Sequence, residues 1–183
     1  MDSSIVVMLI AGVMATYAAK MLFVYFRMRG ARIVVCPETR QPAVVSVDAG
    51  HSAVGAAFNS PDLRLEICSR WPEREGCNQA CASQIAVEPR ATLAGERVKA
   101  WLSDKPCARC GRNAGEEWHA VGPQPGLLSP VTNQTTRWDD IPTRDLPGRL
   151  ETDTPVCKHC QLFEDFRRQY PDEVVDRHRA AVN

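Results

Sequence analysis

Two Cys-x-x-Cys pairs stand 46 residues apart in this chain. The first is Cys107-Ala108-Arg109-Cys110, followed by Gly111, and the second is Cys157-Lys158-His159-Cys160. No other feature limits the fold as strongly. Two cysteines three positions apart can grip one ion from a tight turn, and a second such pair completes a tetrahedron. Gly111 suits a turn that aims backbone N–H groups at sulfur. Four thiolates leave no open position for water, so such a site is structural and not catalytic.

Four of the eight cysteines remain. Residues 31–36 (ARIVVC) and 43–49 (AVVSVDA) read as a β-hairpin across a proline-rich turn. Residues 63–68 (LRLEIC) alternate as a half-buried strand should. Two of these strands end in a cysteine, Cys36 and Cys68. Cys77 and Cys81 are four apart, a spacing that puts both sulfurs on one face of a helix. That helix is expected to run to Val87 and stop before Pro89. Cys36, Cys68, Cys77 and Cys81 therefore read as a second four-cysteine metal site. Buried unliganded thiols and disulfides are the competing readings.

The compartment bears on that choice. Ile5 to Phe26 (IVVMLIAGVMATYAAKMLFVYF) is 22 residues long with one charge, Lys20. This is long enough to cross a hydrocarbon core of about 30 Å. A cleaved signal peptide would carry a basic leader, and only Asp2 and two serines separate Met1 from the apolar run. Arg27, Arg29 and Arg32 follow the span, so the positive-inside rule puts the N-terminus outside and residues 27–183 in the cytoplasm. Thiols stay reduced there, which favours metal over disulfides. Two zinc ions are expected, with iron or an iron–sulfur cluster as the alternative occupant of a Cys₄ site.

The expected organisation is a short tail (1–4), a transmembrane helix (5–26) and a lobe holding the first four cysteines (27–90). A connecting helix (91–105) follows, then a lobe holding the CxxC pairs (106–178) and a frayed end (179–183). Thr92 is a candidate cap for the connecting helix, whose apolar stripe is Ala94, Val98, Trp101 and Leu102. Residues 117–121 and 134–138 read as strands, separated by a loop with Pro123, Pro125, Gly126 and Pro130. Residues 142–150 hold a short helical turn. After Cys157 a helix carries Leu162, Phe163, Phe166 and Tyr170 at apolar spacing, opposed by Glu164, Asp165, Arg167 and Arg168. Pro171 ends it, and a further turn holds Val174 and Val175. Trp71, Trp101, Trp118 and Trp138 are core or contact anchors.

Region 106–170 resembles a treble-clef zinc finger: a CxxCG knuckle, a hairpin, then a second CxxC opening a helix. The two CxxC pairs also resemble the knuckles of rubredoxin. Those sites usually carry glycine after both pairs, and here Gln161 follows Cys160, which favours a helix start and zinc. Some treble-clef proteins resemble HNH nucleases, and that resemblance would recruit His119 with Asp139 or Asp140. No helix histidine follows Cys160 where that site needs one.

Lys+Arg and Asp+Glu both number 22, so the chain lacks the basic footprint of a nucleic-acid binder. The remaining histidines are His51 in a glycine-flanked turn, His159 inside the second knuckle and His178 near the end. No HExxH, GxSxG or phosphate loop occurs, and no small-molecule substrate is identified. The sequence thus implies an α+β protein: one transmembrane helix, then a small zinc-stapled domain, treble-clef-like in its C-terminal part. Its role would be that of a scaffold, adaptor or accessory subunit, with the bilayer and membrane or cytoplasmic proteins as partners. An iron electron carrier and a redox- or zinc-responsive regulator are the alternatives.

Overall fold

The computed structural model describes residues 3–58, 62–74, 76–116, 118, 122–171 and 173. Helix and sheet are mixed, and the chain divides into two compact units, Met1–Arg97 and Val98–Asn183.

The first unit opens with helix α1 (Ser3–Met28), which has no buried residue. It is long and apolar enough to cross a membrane. Met21, Val24 and Met28 fall on one stripe and are half-buried. Strands β1 (Ala31–Val35) and β2 (Pro42–Val47) then form the antiparallel hairpin expected, and β3 (Leu65–Cys68) adds to the far side of β2. Ala43, Val45 and Val47 alternate into the core. The core proper is Val34, Val45, Val47, Leu65, Cys68, Cys81 and Ile85, with Met28, Leu63 and Trp71 against it.

Two expectations fail here. His51 is not in a glycine-flanked turn but in helix α2 (Ala49–Ala57), capped by the Asp48 carboxylate accepting from His51 N–H at 2.8 Å. A run of alanine and glycine has no apolar period to announce it, and α2 gains its stability by lying along α1. Cys77 and Cys81 do not share a helix face either. Helix α3 is Ala82–Val87, with Cys81 at its N-cap, and Gln79 sits at φ 54° in the turn before it. Gln79 turns there because its side-chain oxygen accepts from Leu65 N–H at 2.9 Å, holding the loop to β3. The stop before Pro89 is as expected.

Arg32 is fully buried in β1. Its guanidinium donates to the carbonyl of Arg27 at 2.7 Å, to the hydroxyl of Thr92 at 2.9 Å and to the carbonyl of Pro89. Thr92 is therefore not a helix cap but part of this clamp. Burial lowers the guanidinium pKa, and the Arg27 charge lowers it further. The clamp joins the end of α1 to segment 88–93, whose backbone also meets β1 through Ile33 N–H to Thr92 O at 2.8 Å.

Helix α4 (Ala94–Leu102) crosses the division between units, with Ala94, Val98 and Leu102 buried. In the second unit β4 (Gly126–Leu128) pairs on one side with β5 (Thr135–Arg137) and on the other with β6 (Thr154–Val156), all antiparallel. Leu127 and Val156 are fully buried and Leu146 of α5 (Leu146–Thr152) nearly so. The hairpin is thus 126–128 with 135–137, and one of its strands falls where the prolines suggested loop. Strands of three residues are too short to show a period. Segment 117–121 lies largely outside the described residues, as do His119, His178, the Val174–Val175 turn and the C-terminal end.

Helix α6 (Lys158–Gln169) is rotated relative to the sequence expectation. Leu162, Phe163, Phe166 and Tyr170 are exposed, while Gln161 is buried. Gln161 donates to Asp165 at 2.8 Å, and Arg168 donates to the Thr135 carbonyl at 2.6 Å. At about 100° per residue, Cys157, Cys160, Gln161, Glu164 and Arg168 form one face, opposite the apolar residues. The cysteines decide which face turns inward. Gln161 lies over Gly126, where an added Cβ would collide with its amide oxygen.

Arg32→Met is expected to destabilise the first unit by about 1–3 kcal/mol, because two carbonyls and a hydroxyl lose their donor in a buried site. Urea unfolding of the full chain in detergent measures it, and an unchanged midpoint would deny the clamp its role.

Candidate metal centre

The first knuckle is a tight loop closed by Pro106 bridging to Asn113. Cys107 N–H donates to Arg112 O at 2.7 Å, and Gly111 N–H to Cys107 O at 2.9 Å. Gly111 has φ 74°, which a residue with a side chain adopts at a cost. The turn directs Arg109 N–H toward the Cys107 sulfur at 3.4 Å. Ala108 N–H donates to Pro155 O at 2.9 Å, fixing the knuckle to β6. Arg109 reaches Glu164 of α6 at 3.5 Å.

Cys157 directly follows β6 and sits at the N-cap of α6, and Cys160 lies in the first turn. Cys157 N–H points at the Cys107 sulfur, 3.2 Å away. The sulfurs of Cys107, Cys110, Cys157 and Cys160 all lie within 4.8 Å of one another. Vertices of a tetrahedron with metal–sulfur bonds of about 2.3 Å stand about 3.8 Å apart. The Cys110 and Cys157 sulfurs are 3.7 Å apart. That is far from the length of about 2.05 Å of a disulfide bond, and all eight cysteines are free. The four-sulfur cluster could hold a metal ion.

The thiols differ in acidity. Cys110 is exposed, and the Arg112 backbone N–H is the main influence that brings its pKa down to about 6. Its thiolate in turn raises the Arg112 guanidinium pKa. Burial pushes Cys157 and Cys160 upward, and neighbouring cysteine thiols push Cys160 further. Four thiolates in one small volume repel, and a divalent cation removes that repulsion. Arg112 is a participant that sequence reasoning missed, and its place directly after the CxxCG run was the available signal.

Cys36, Cys68, Cys77 and Cys81 are placed differently. Cys36 follows β1 and Cys77 lies in a loop, both half-buried, while Cys68 and Cys81 are buried in the first core. Burial first, then the charges of Cys68, Cys77 and Cys36, raise the Cys81 pKa, so the four share one neighbourhood. Thr39 lowers the Cys36 pKa. Among the described residues, the close four-sulfur group is that of Cys107, Cys110, Cys157 and Cys160.

The other candidates are accounted for in part. Asp139 and Asp140 both face Arg137, at 2.8 Å and 3.5 Å. Trp118 stacks on Trp138 with centroids 5.6 Å apart, and Trp138 Nε1 donates to Gln124 at 3.1 Å. Lys105 lies 3.8 Å from the Trp101 ring centroid. His51 approaches Asp62 at 3.4 Å, and His159 is exposed in the first turn of α6. No family model, curated protein or solved structure matches the chain.

In reduced, metal-free protein at pH 7, iodoacetamide is expected to reach Cys110 well before Cys157 and Cys160, since Cys110 alone of the three is largely thiolate and exposed. Added Zn²⁺ should protect all four. Peptide mass mapping over time reads both effects, and equal rates in the metal-free chain would contradict the geometry.

Proposed function

We propose that this chain is a single-span membrane protein with its N-terminus outside and residues 27–183 in the cytoplasm, stapled by two structural Cys₄ zinc sites. It acts as a non-catalytic scaffold, adaptor or accessory subunit of a membrane complex. The observation that carries the metal part is the 3.7 Å sulfur separation within a group of four sulfurs. The second site, at Cys36, Cys68, Cys77 and Cys81, is supported by their common neighbourhood around Cys81.

Three observations support a binding role over catalysis. A Cys₄ zinc site has no vacant position for substrate. The pocket beside Cys157, lined by Arg112, Asn113 and Lys158, measures ≈ 20 Å³, too small to seat a substrate next to that sulfur. The exposed stripe of Leu162, Phe163, Phe166 and Tyr170 on α6 is the kind of surface a protein partner covers. The knuckle, the β4–β5 hairpin and a helix opened by Cys157 follow the order of a treble clef, with α5 and β6 between hairpin and helix.

Elemental analysis of detergent-purified chain is expected to give about two zinc ions per chain and no visible colour. Cys157→Ser should lose about one zinc and leave the other. One zinc in the wild type would remove the first-unit site. Iron with visible bands would make the protein an electron carrier, and no metal with blocked cysteines would overturn both the metal reading and the topology.

A further inference from the structure

Within the first unit, the end of α1 and segment 88–93 enclose an open groove of ≈ 680 Å³. Phe23, Phe26 and Leu93 give it apolar walls, and Arg27, Arg90 and Glu88 stand along it. Arg27 lies over the Phe23 ring, 6.0 Å from its centroid. Arg29, two residues further on, lies 5.8 Å from the Phe26 ring centroid. Neither Arg27 nor Arg90 forms an ion pair among the described residues. The groove thus offers two guanidinium groups against one carboxylate, above an apolar wall.

Its position decides what such a groove can hold. Phe23 and Phe26 are the last large apolar residues of the span, and Arg27 is the first basic residue after it. If α1 crosses the bilayer, this groove opens at the level of the lipid headgroups. The buried Arg32 clamp ties its two walls together, one through the Arg27 carbonyl and the other through Thr92 and Pro89. The site therefore exists before any ligand arrives, and the ordering cost of binding is small.

We propose that this groove binds one anionic phospholipid, its phosphate held by Arg27 and Arg90 and an acyl chain laid against Phe23, Phe26 and Leu93. Guanidinium groups suit phosphate through paired, charge-assisted hydrogen bonds. Glu88, exposed beside the groove, disfavours a second negative charge there, so a singly charged headgroup fits best. The inference rests on the membrane-anchor reading of α1.

The test uses the full chain in neutral detergent, probed with phosphatidylglycerol, phosphatidylcholine and inorganic phosphate by native mass spectrometry. Phosphatidylglycerol is expected to be retained in preference to phosphatidylcholine, with inorganic phosphate not retained. Arg27→Ala with Arg90→Ala should weaken retention by about thirtyfold, for two basic contacts at a membrane surface. Arg27→Lys with Arg90→Lys should restore part of it, returning the charge without the paired hydrogen bonds, and an unchanged melting temperature in both variants shows that the fold is intact. Equal retention of the two lipids, equal binding of inorganic phosphate or an unaffected alanine variant would each overturn the lipid site. Alkaline carbonate extraction of the wild-type chain from membranes tests the anchor separately. A chain released by carbonate ends the anchor reading, while an embedded chain without lipid preference ends only the groove proposal.

Discussion

Four sulfurs held within 4.8 Å are the constraint on which the second unit depends. Its sheet has three strands of three residues each, and a sheet that small is marginal without a further tie. The cluster supplies one, because Cys107 and Cys110 come from a turn, Cys157 from directly after β6 and Cys160 from α6. A metal bond among them would close a loop of 46 intervening residues and so restrict the unfolded chain. Burial raises the Cys157 and Cys160 pKa values, while the Arg112 backbone N–H lowers that of Cys110, so the four thiols enter the cluster with unequal acidity.

The same cluster fixes the rotation of α6. With Cys157 and Cys160 turned inward, the face that meets the sheet must carry Gln161, Glu164 and Arg168. The helix meets the sheet where Gln161, held by Asp165 of the same helix, lies over Gly126, and where Arg168 donates to the Thr135 carbonyl. Its apolar residues are left at the surface. An ordinary amphipathic helix chooses its phase by hydrophobic burial. Here the cysteine cluster sets the phase and leaves the apolar face at the surface.

The first unit relies on a different device. A buried guanidinium with three acceptors joins the exit of α1, the first strand and segment 88–93. Gln84 assists at the edge of β1, accepting from Val35 N–H at 3.0 Å and donating to Val35 O at 2.7 Å. That side chain stands in for a missing strand and satisfies a backbone that would otherwise be an open edge. Cys68 and Cys81 then pack as apolar groups in the core.

The sequence by itself determined the long apolar helix, the β1–β2 hairpin, β3, the end of α3 before Pro89 and the pairing of the two CxxC runs. Each rests on a local signal: a run longer than the bilayer, a period of two, a proline, a fixed cysteine spacing. Even the phase of α6 was there to be read, since the cysteine face and the apolar face lie half a turn apart. What only the tertiary structure decided were β4 and β6, helix α2, the loop geometry of Cys77 and Cys81, and the burial of Arg32. Three-residue strands carry no period, an alanine–glycine helix forms only against a neighbour, and a buried arginine needs acceptors from segments almost sixty residues away. Those features follow from contacts between distant parts of the chain, and no local pattern encodes them.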